Sequence, residues 1–223
     1  MKTDDLVAAL STRIEPVNRR LVNWTMGIAL LAAAVVALGL MLAGLGIRAD
    51  LMTARALTFL VLKLAFAVGV VGVSSIYLMR LTRPGGERRT SSIRIMMPFA
   101  AIVLLAAVSL GLAPSSHWDE MVMGDQWLEC LLSIPIIAIA PFAIIVAAMR
   151  KAAPTSLERT GAFAGLIAGG VSAMGYALHC TDDSLPFIAI WYGGTMLLCT
   201  LAGAALGHGY YVGRGAPAAF TSA

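Results

Sequence analysis

The chain has 223 residues, is 59% apolar and only 13% charged, carries a formal net charge of +4 and has a mean hydropathy of +0.85. A soluble domain runs near half apolar and a quarter charged, so this composition excludes an ordinary water-soluble core and points to an all-α integral membrane protein. The positive balance is no argument for nucleic-acid binding, and no direct nucleic-acid contact is expected; what matters is where the positive charges fall.

The opening stretch, MKTDDLVAALSTRIEP, predicts a short helix. Thr3 can cap it, Asp4 and Asp5 suit the positive end of its dipole, and Pro16 stops it. Leu6, Leu10 and Ile14 recur every fourth residue and make one apolar stripe. Two readings stay open. The stripe can lie on the inner leaflet, helped by Arg19 and Arg20, or it can fill a groove on a soluble partner. Residues 1–20 are read as a cytoplasmic amphipathic arm.

Six apolar runs follow, each near the length of about 20 residues that spans a bilayer. They fall at Leu21–Ile47, Leu57–Leu78, Ile95–Leu112, Trp127–Met149, Thr160–Leu178 and Pro186–Leu206. Together they make one six-helix membrane domain over residues 21–206, with a tail at 207–223. Arg and Lys alternate between the connections. Lys2, Arg13, Arg19 and Arg20 precede the first run. Arg80, Arg83, Arg88, Arg89 and Arg94 lie between the second and third, and Arg150, Lys151 and Arg159 between the fourth and fifth. The other connections hold only Arg48 and Arg55. This asymmetry predicts that both termini are cytoplasmic.

Deep inside the runs the single charge is Lys63, and no Asp or Glu sits deep in any of them. Lys63 lies about two turns from the outer end of its span, and its ammonium is expected to snorkel outward. Pro135 and Pro141 should kink the fourth span. Gly161, Gly165 and Gly169 line one face of the fifth, and Gly203 and Gly207 do so in the sixth. Such small residues let helix backbones approach closely in lipid, here within the bundle. No metalloprotease H-E-x-x-H, P-loop, nucleophile elbow or C-x-x-C occurs, and the chain is read as not an enzyme.

The outer connections carry the candidate chemistry. Cys130 begins the fourth span, and Cys180 lies in the short break ALHCTDDSLPF before the sixth, at the same outer face. In an oxidising compartment the two can make a structural disulfide or a redox-responsive one. They can equally form a dithiol that captures a soft metal ion transiently, with no resident cofactor. His179, Asp182 and Asp183, with His117 and Glu129, are candidate auxiliary ligands or modifiers of thiol reactivity. Asp182-Asp183-Ser184 can also be no more than an N-terminal cap for the last span. Cys199 lies about 20 Å further along that span and is read as a packed apolar side chain.

Three segments carry a resemblance to a known family. MKTDDLVAAL at the start, CLLSIPIIAIAP from Cys130 and ALHCTDDSLPFIAIWYG from Ala177 resemble the NrsF family of membrane-bound anti-sigma factors. The likeness extends in hydropathy over nearly the whole chain. Members often have Pro-Glu-Asp after the second cysteine, where this chain has Thr181-Asp182-Asp183. The resemblance implies sequestration of an extracytoplasmic-function sigma factor at the bacterial inner membrane, beside the lipid bilayer. It implies release on a heavy-metal or oxidative envelope signal, with Cys130 and Cys180 as the matching detectors. It also turns the stripe of Leu6, Leu10 and Ile14 toward sigma-factor binding. The competing reading is a small transporter or metal-export component, which would need a polar path through the spans.

Overall fold

The computed structural model describes residues 19–81, 93–150 and 156–212, with side chains described for 23–81, 93–150 and 156–207. The arm bearing Leu6, Leu10 and Ile14 and most of the arginine-rich connection lie outside the described residues.

Apolar runs of this length fold as helices, since a helix satisfies its own backbone without water. The helices are α1 (Arg19–Gly44), α2 (Ala54–Leu81), α3 (Ile93–Leu112), the short α4 (Trp118–Met123), α5 (Trp127–Arg150) and α6 (Leu157–Tyr176). The last, α7, begins as Leu185–Phe187, passes through a π-turn at Ile188–Tyr192 and continues as Gly193–Val212. No strand occurs among the described residues. The six long helices fall where the six apolar runs predict them. Pro135 and Pro141 both sit inside the single helix α5.

The ends of these helices are set by local chemistry. Thr53 caps α2, its Oγ1 accepting from the Ala56 N–H. After α1 the chain turns through Gly46, which has a φ of 77°. Its N–H closes on the Met41 carbonyl, a usual left-handed helix ending.

Among the described residues, five helices are long and apolar enough to cross a membrane: α1, α2, α3, α5 and α7. Their outer faces present large apolar side chains to the surroundings, among them Leu31, Val61, Leu104, Ile139 and Leu201. A water-soluble bundle would bury such a belt. Helix α6 differs. It is long enough, about 30 Å at 1.5 Å per residue, but less apolar, and most of its residues are buried. It packs against α1, α2, α5 and α7 and is the axis of the bundle. One core cluster joins α6 to α1 and α5 through Ala33, Met41, Ile145 and Ile167. The other joins it to α2 and α7 through Phe66, Tyr176, Phe187 and Tyr192.

Glycine explains how α6 can hold that place. A Cβ on Gly161 would run into the Gly203 carbonyl, and one on Gly165 into the Cys199 carbonyl. The two backbones touch, so the glycine faces serve packing within the chain, as expected. Cys199 is buried in this seam beside Gly169. Replacing Gly165 or Gly203 with Ala should therefore lower stability by about 1–3 kcal/mol, because the added carbon meets backbone that cannot yield. Gly39→Ala in α1, with nothing within 4 Å of the new carbon, should leave stability unchanged or raise it. Thermal unfolding in detergent micelles compares the three.

Candidate functional site

Three connections meet at one end of the bundle: the turn from α1 to α2, the segment around α4, and the loop from α6 to α7. Backbone and side-chain hydrogen bonds lace them together. The Arg48 N–H donates to the Leu178 carbonyl at 3.1 Å. The Thr181 N–H donates to Oε1 of Gln126 at 3.0 Å. Ser184 donates from Oγ to the Met121 carbonyl at 2.6 Å, and Trp191 from Nε1 to the Val122 carbonyl at 2.8 Å. Trp191 also lies against Trp127, with ring centroids 5.2 Å apart.

Asp182, Asp183 and Ser184 have three separate tasks. Asp182 does not cap the last helix. Its carboxylate accepts from the backbone N–H groups of Asp125 and Gln126 at 3.0 and 2.8 Å, so it caps the neighbouring helix α5 from across the loop. Asp183 turns inward and is clasped by Arg48, whose guanidinium reaches both carboxylate oxygens at 3.0 and 2.9 Å. Ser184 alone is the N-cap of α7, its Oγ accepting from the Phe187 N–H. The expectation that all three residues cap α7 thus holds for one of them.

Lys63 reaches toward this end of the bundle but finds no water there. It is 1% exposed. Its ammonium donates to the Cys180 carbonyl at 3.0 Å and lies 3.3 Å from Oδ1 of Asp183. It also sits 5.8 Å from the centroid of the Tyr192 ring. Snorkelling is thus replaced by burial, because the loop folds over the end of the side chain. Arg48 donates to the same Cys180 carbonyl at 3.0 Å and also forks Asp50, at 2.7 Å on each oxygen. Asp50 and Asp183 together hold the Arg48 guanidinium protonated well above its ordinary range. In return Arg48 keeps the exposed carboxyl of Asp50 below the usual carboxylate range.

Under this loop lie Cys130 and Cys180. Both are free thiols and both are fully buried. They belong to one core cluster with Tyr176, Phe187 and Tyr192. Burial pushes the Cys180 thiol up, against an opposing pull from Lys63 and from the Tyr192 hydroxyl. That hydroxyl lies near enough to favour a Cys180 anion, yet it makes no well-formed hydrogen bond. The Tyr176 hydroxyl is likewise buried and unpaired. The thiol of Cys180 is therefore held protonated at neutral pH.

The candidate auxiliary residues are engaged elsewhere. His179 Nδ1 lies 3.1 Å from the Gly46 carbonyl, and its Nε2 lies 3.8 Å from Glu129. His117 is exposed and contacts Ser116. Asp182 and Asp183 are occupied as above. Among the described residues no group of three or more His, Cys, Asp or Glu could hold a metal ion. Sequence reasoning missed the inward role of Lys63 and the Arg48–Asp183 clasp. A lone basic residue in an otherwise apolar run was the only signal for the first.

The fold and this end of the bundle define a polytopic helical protein of the membrane type, with a thiol pair sealed beneath ion-paired loops. The chain belongs to the NrsF family, described as negative regulator of sigma F, whose model matches residues 10–210. It is 32% identical to the "Probable anti-sigma-F factor NrsF" of Azospira oryzae, over 93% of this chain and 98% of that protein. It is 30% identical to the "Anti-sigma-F factor NrsF" of Caulobacter vibrioides, over 91% of this chain and 95% of the other. No solved structure matches it. The family is regulatory rather than catalytic.

Replacing Asp183 with Asn should destabilise the protein by about 3–5 kcal/mol, since it strips the shared carboxylate from two buried cations. Asp119→Asn, at an exposed position of α4, should change stability by less than about 0.5 kcal/mol. Denaturation in micelles measures both.

Proposed function

We propose that this protein is a multi-pass anti-sigma factor of the bacterial inner membrane. On this reading it holds an extracytoplasmic-function sigma factor at its cytoplasmic face and releases it when Cys130 and Cys180 meet an oxidising or soft-metal signal outside. The observation that carries the reading is the free, buried thiol pair beneath the interlocked loops, in a chain of the NrsF family. All six long helices cross the bilayer, α6 included. Its support is connectivity: α5 begins and α6 ends under the same interlocked loops, and α6 packs along α7 from Gly169 to Gly161. A central helix shielded by its neighbours needs no lipid-facing apolar surface. Both termini are then cytoplasmic, together with the arginine-rich connections. The sigma factor docks on the arm through Leu6, Leu10 and Ile14, an apolar stripe of the helix-in-groove kind.

The thiols act on the docking face through the bundle. Cys130 begins α5 and Cys180 leads into α7, so new bonds at the sulfurs bias how these two helices sit against α6. Moving from about 1% to 99% released takes about 5.5 kcal/mol of differential stabilisation. Two metal–thiolate bonds or one disulfide supply energies of this order. A transporter reading has no comparable support, since the buried charges Lys63, Arg48 and Asp183 are gathered at one end of the bundle.

The test is affinity purification of the tagged full-length protein in mild detergent from its own host. A sigma factor should co-purify at near-stoichiometric amount from unstressed cells and be lost after the stimulus. Replacing both Cys130 and Cys180 with Ser should abolish that loss, and Leu10→Asp should weaken capture at least tenfold. If no sigma factor co-purifies with the intact protein, the anti-sigma reading fails. If the Ser variant still releases its partner, sensing by the thiols fails.

A further inference from the structure

We propose that the trough between α5 and α7 binds one anionic phospholipid, its acyl chain lying along an uncovered strip of α6 and its phosphate at Arg150. Between these two helices the shield over α6 is incomplete. Two cavities of about 370 and 260 Å³ lie end to end there and share Phe142 and Leu206. The first starts at Pro135 and is floored by Gly165 and Ala168 of α6. The second continues past Gly161 to Arg150. Ile139, Leu198 and Leu206 line the trough and are exposed, so it opens sideways to the surroundings rather than into the bundle.

Helix packing produces this trough. Helices α6 and α7 touch backbone to backbone because Gly161, Gly165 and Gly203 carry no side chain. The same lack of side chains leaves space on the α5 side, where α7 presents Ala202 and Gly203 between Leu198 and Leu206. Toward the thiol end the walls close, with Trp127 against Trp191. A lining without a close neighbour forfeits its dispersion contacts, and in a bilayer the neighbour at hand is a hydrocarbon chain.

Shape and charge select the occupant. Spread over roughly 22 Å of α5 at about 1.5 Å per residue, the two volumes give a cross-section of roughly 30 Å². A helix with its side chains is about 10 Å across and does not enter such a space, whereas an extended acyl chain does. The mouth at the far end from the thiols is lined by Arg150 and by no acidic residue. Lys151 follows in sequence and Arg159 is exposed in the first turn of α6, where Glu158 is the one acid. An arginine so placed lays its stem along apolar surface and keeps its charged head at the interface. Basic pockets between membrane helices on the cytoplasmic side suit phosphate headgroups. The inference rests on the bilayer placement proposed above, which makes this end the cytoplasmic one, and not on sigma capture or thiol sensing.

The experiment titrates the full-length protein, delipidated in detergent micelles, with dioleoyl phosphatidylglycerol or dioleoyl phosphatidylethanolamine and reads retention by native mass spectrometry. The anionic lipid should be retained one to one and in preference to the zwitterionic one. Arg150→Gln should lower that preference about fivefold, the effect of one basic contact near a membrane surface. Arg94→Gln, at an exposed position of α3 away from the trough, should leave the preference unchanged. Ala202→Phe fills the trough from an exposed position and should abolish retention, while thermal unfolding of the delipidated protein stays level or rises. If that variant is less stable, the arginine pair decides. No preference for the anionic lipid, full retention by Ala202→Phe, or an equal loss of preference in both arginine variants overturns the proposal. So does a dimer that Ala202→Phe splits with lipid retention unchanged, since the trough is then a seam between copies. Sigma capture is read separately, by the co-purification above.

Discussion

The end of the bundle that carries the thiols depends on one carboxylate. Asp183 receives both arms of Arg48 and the ammonium of Lys63, and the same two cations bind the carbonyl of Cys180. Charges this deep are costly to desolvate, and their mutual attraction offsets that only when geometry is good and other bonds satisfy the remaining lone pairs and protons. Here the geometry is a bidentate fork on one side and a carbonyl on the other. The result is that α2, the α1–α2 turn and the α6–α7 loop cannot shift independently. Cys180 sits at the point where they are joined.

The rest of the bundle answers a different demand. Five helices face outward with large apolar side chains, and the sixth is enclosed by four of them, α1, α2, α5 and α7. Enclosure needs small residues, because a helix touched on several sides must let neighbouring backbones come close. That requirement accounts for Gly161, Gly165 and Gly169 on α6 meeting Gly203, Cys199 and Gly207 on α7. It also accounts for the lower hydropathy of α6. Its composition was selected by packing against protein rather than by contact with lipid.

The sequence made the helices legible because long apolar runs have few alternatives. All six long helices lie where hydropathy put them, within a few residues, and the glycine faces pair inside the chain as spacing implied. The thiol pair was legible too, since Cys130 and Cys180 fall at the same end of their segments. What the sequence could not show was the division of labour after Cys180. Asp182, Asp183 and Ser184 read as one cap because they adjoin the start of α7. In space Asp182 serves α5, and Asp183 serves α1–α2 residues more than a hundred positions away. Such pairings leave no mark on local pattern. The burial of Tyr176 and Tyr192 in one core cluster with the two cysteines likewise leaves no mark on local pattern.

The low hydropathy of α6 matters for anyone mapping related chains. A hydropathy count takes five helices and leaves the axis out, and an odd number of crossings separates the two ends of a polypeptide. In this bundle α1 starts and α7 finishes at the same end, away from the thiols, because α6 carries the chain back between α5 and α7. On the six-span topology proposed above, a reporter fused to the end of α7 would be assigned to the wrong compartment by that count. The error would come from the one helix on which every other long helix but α3 is built.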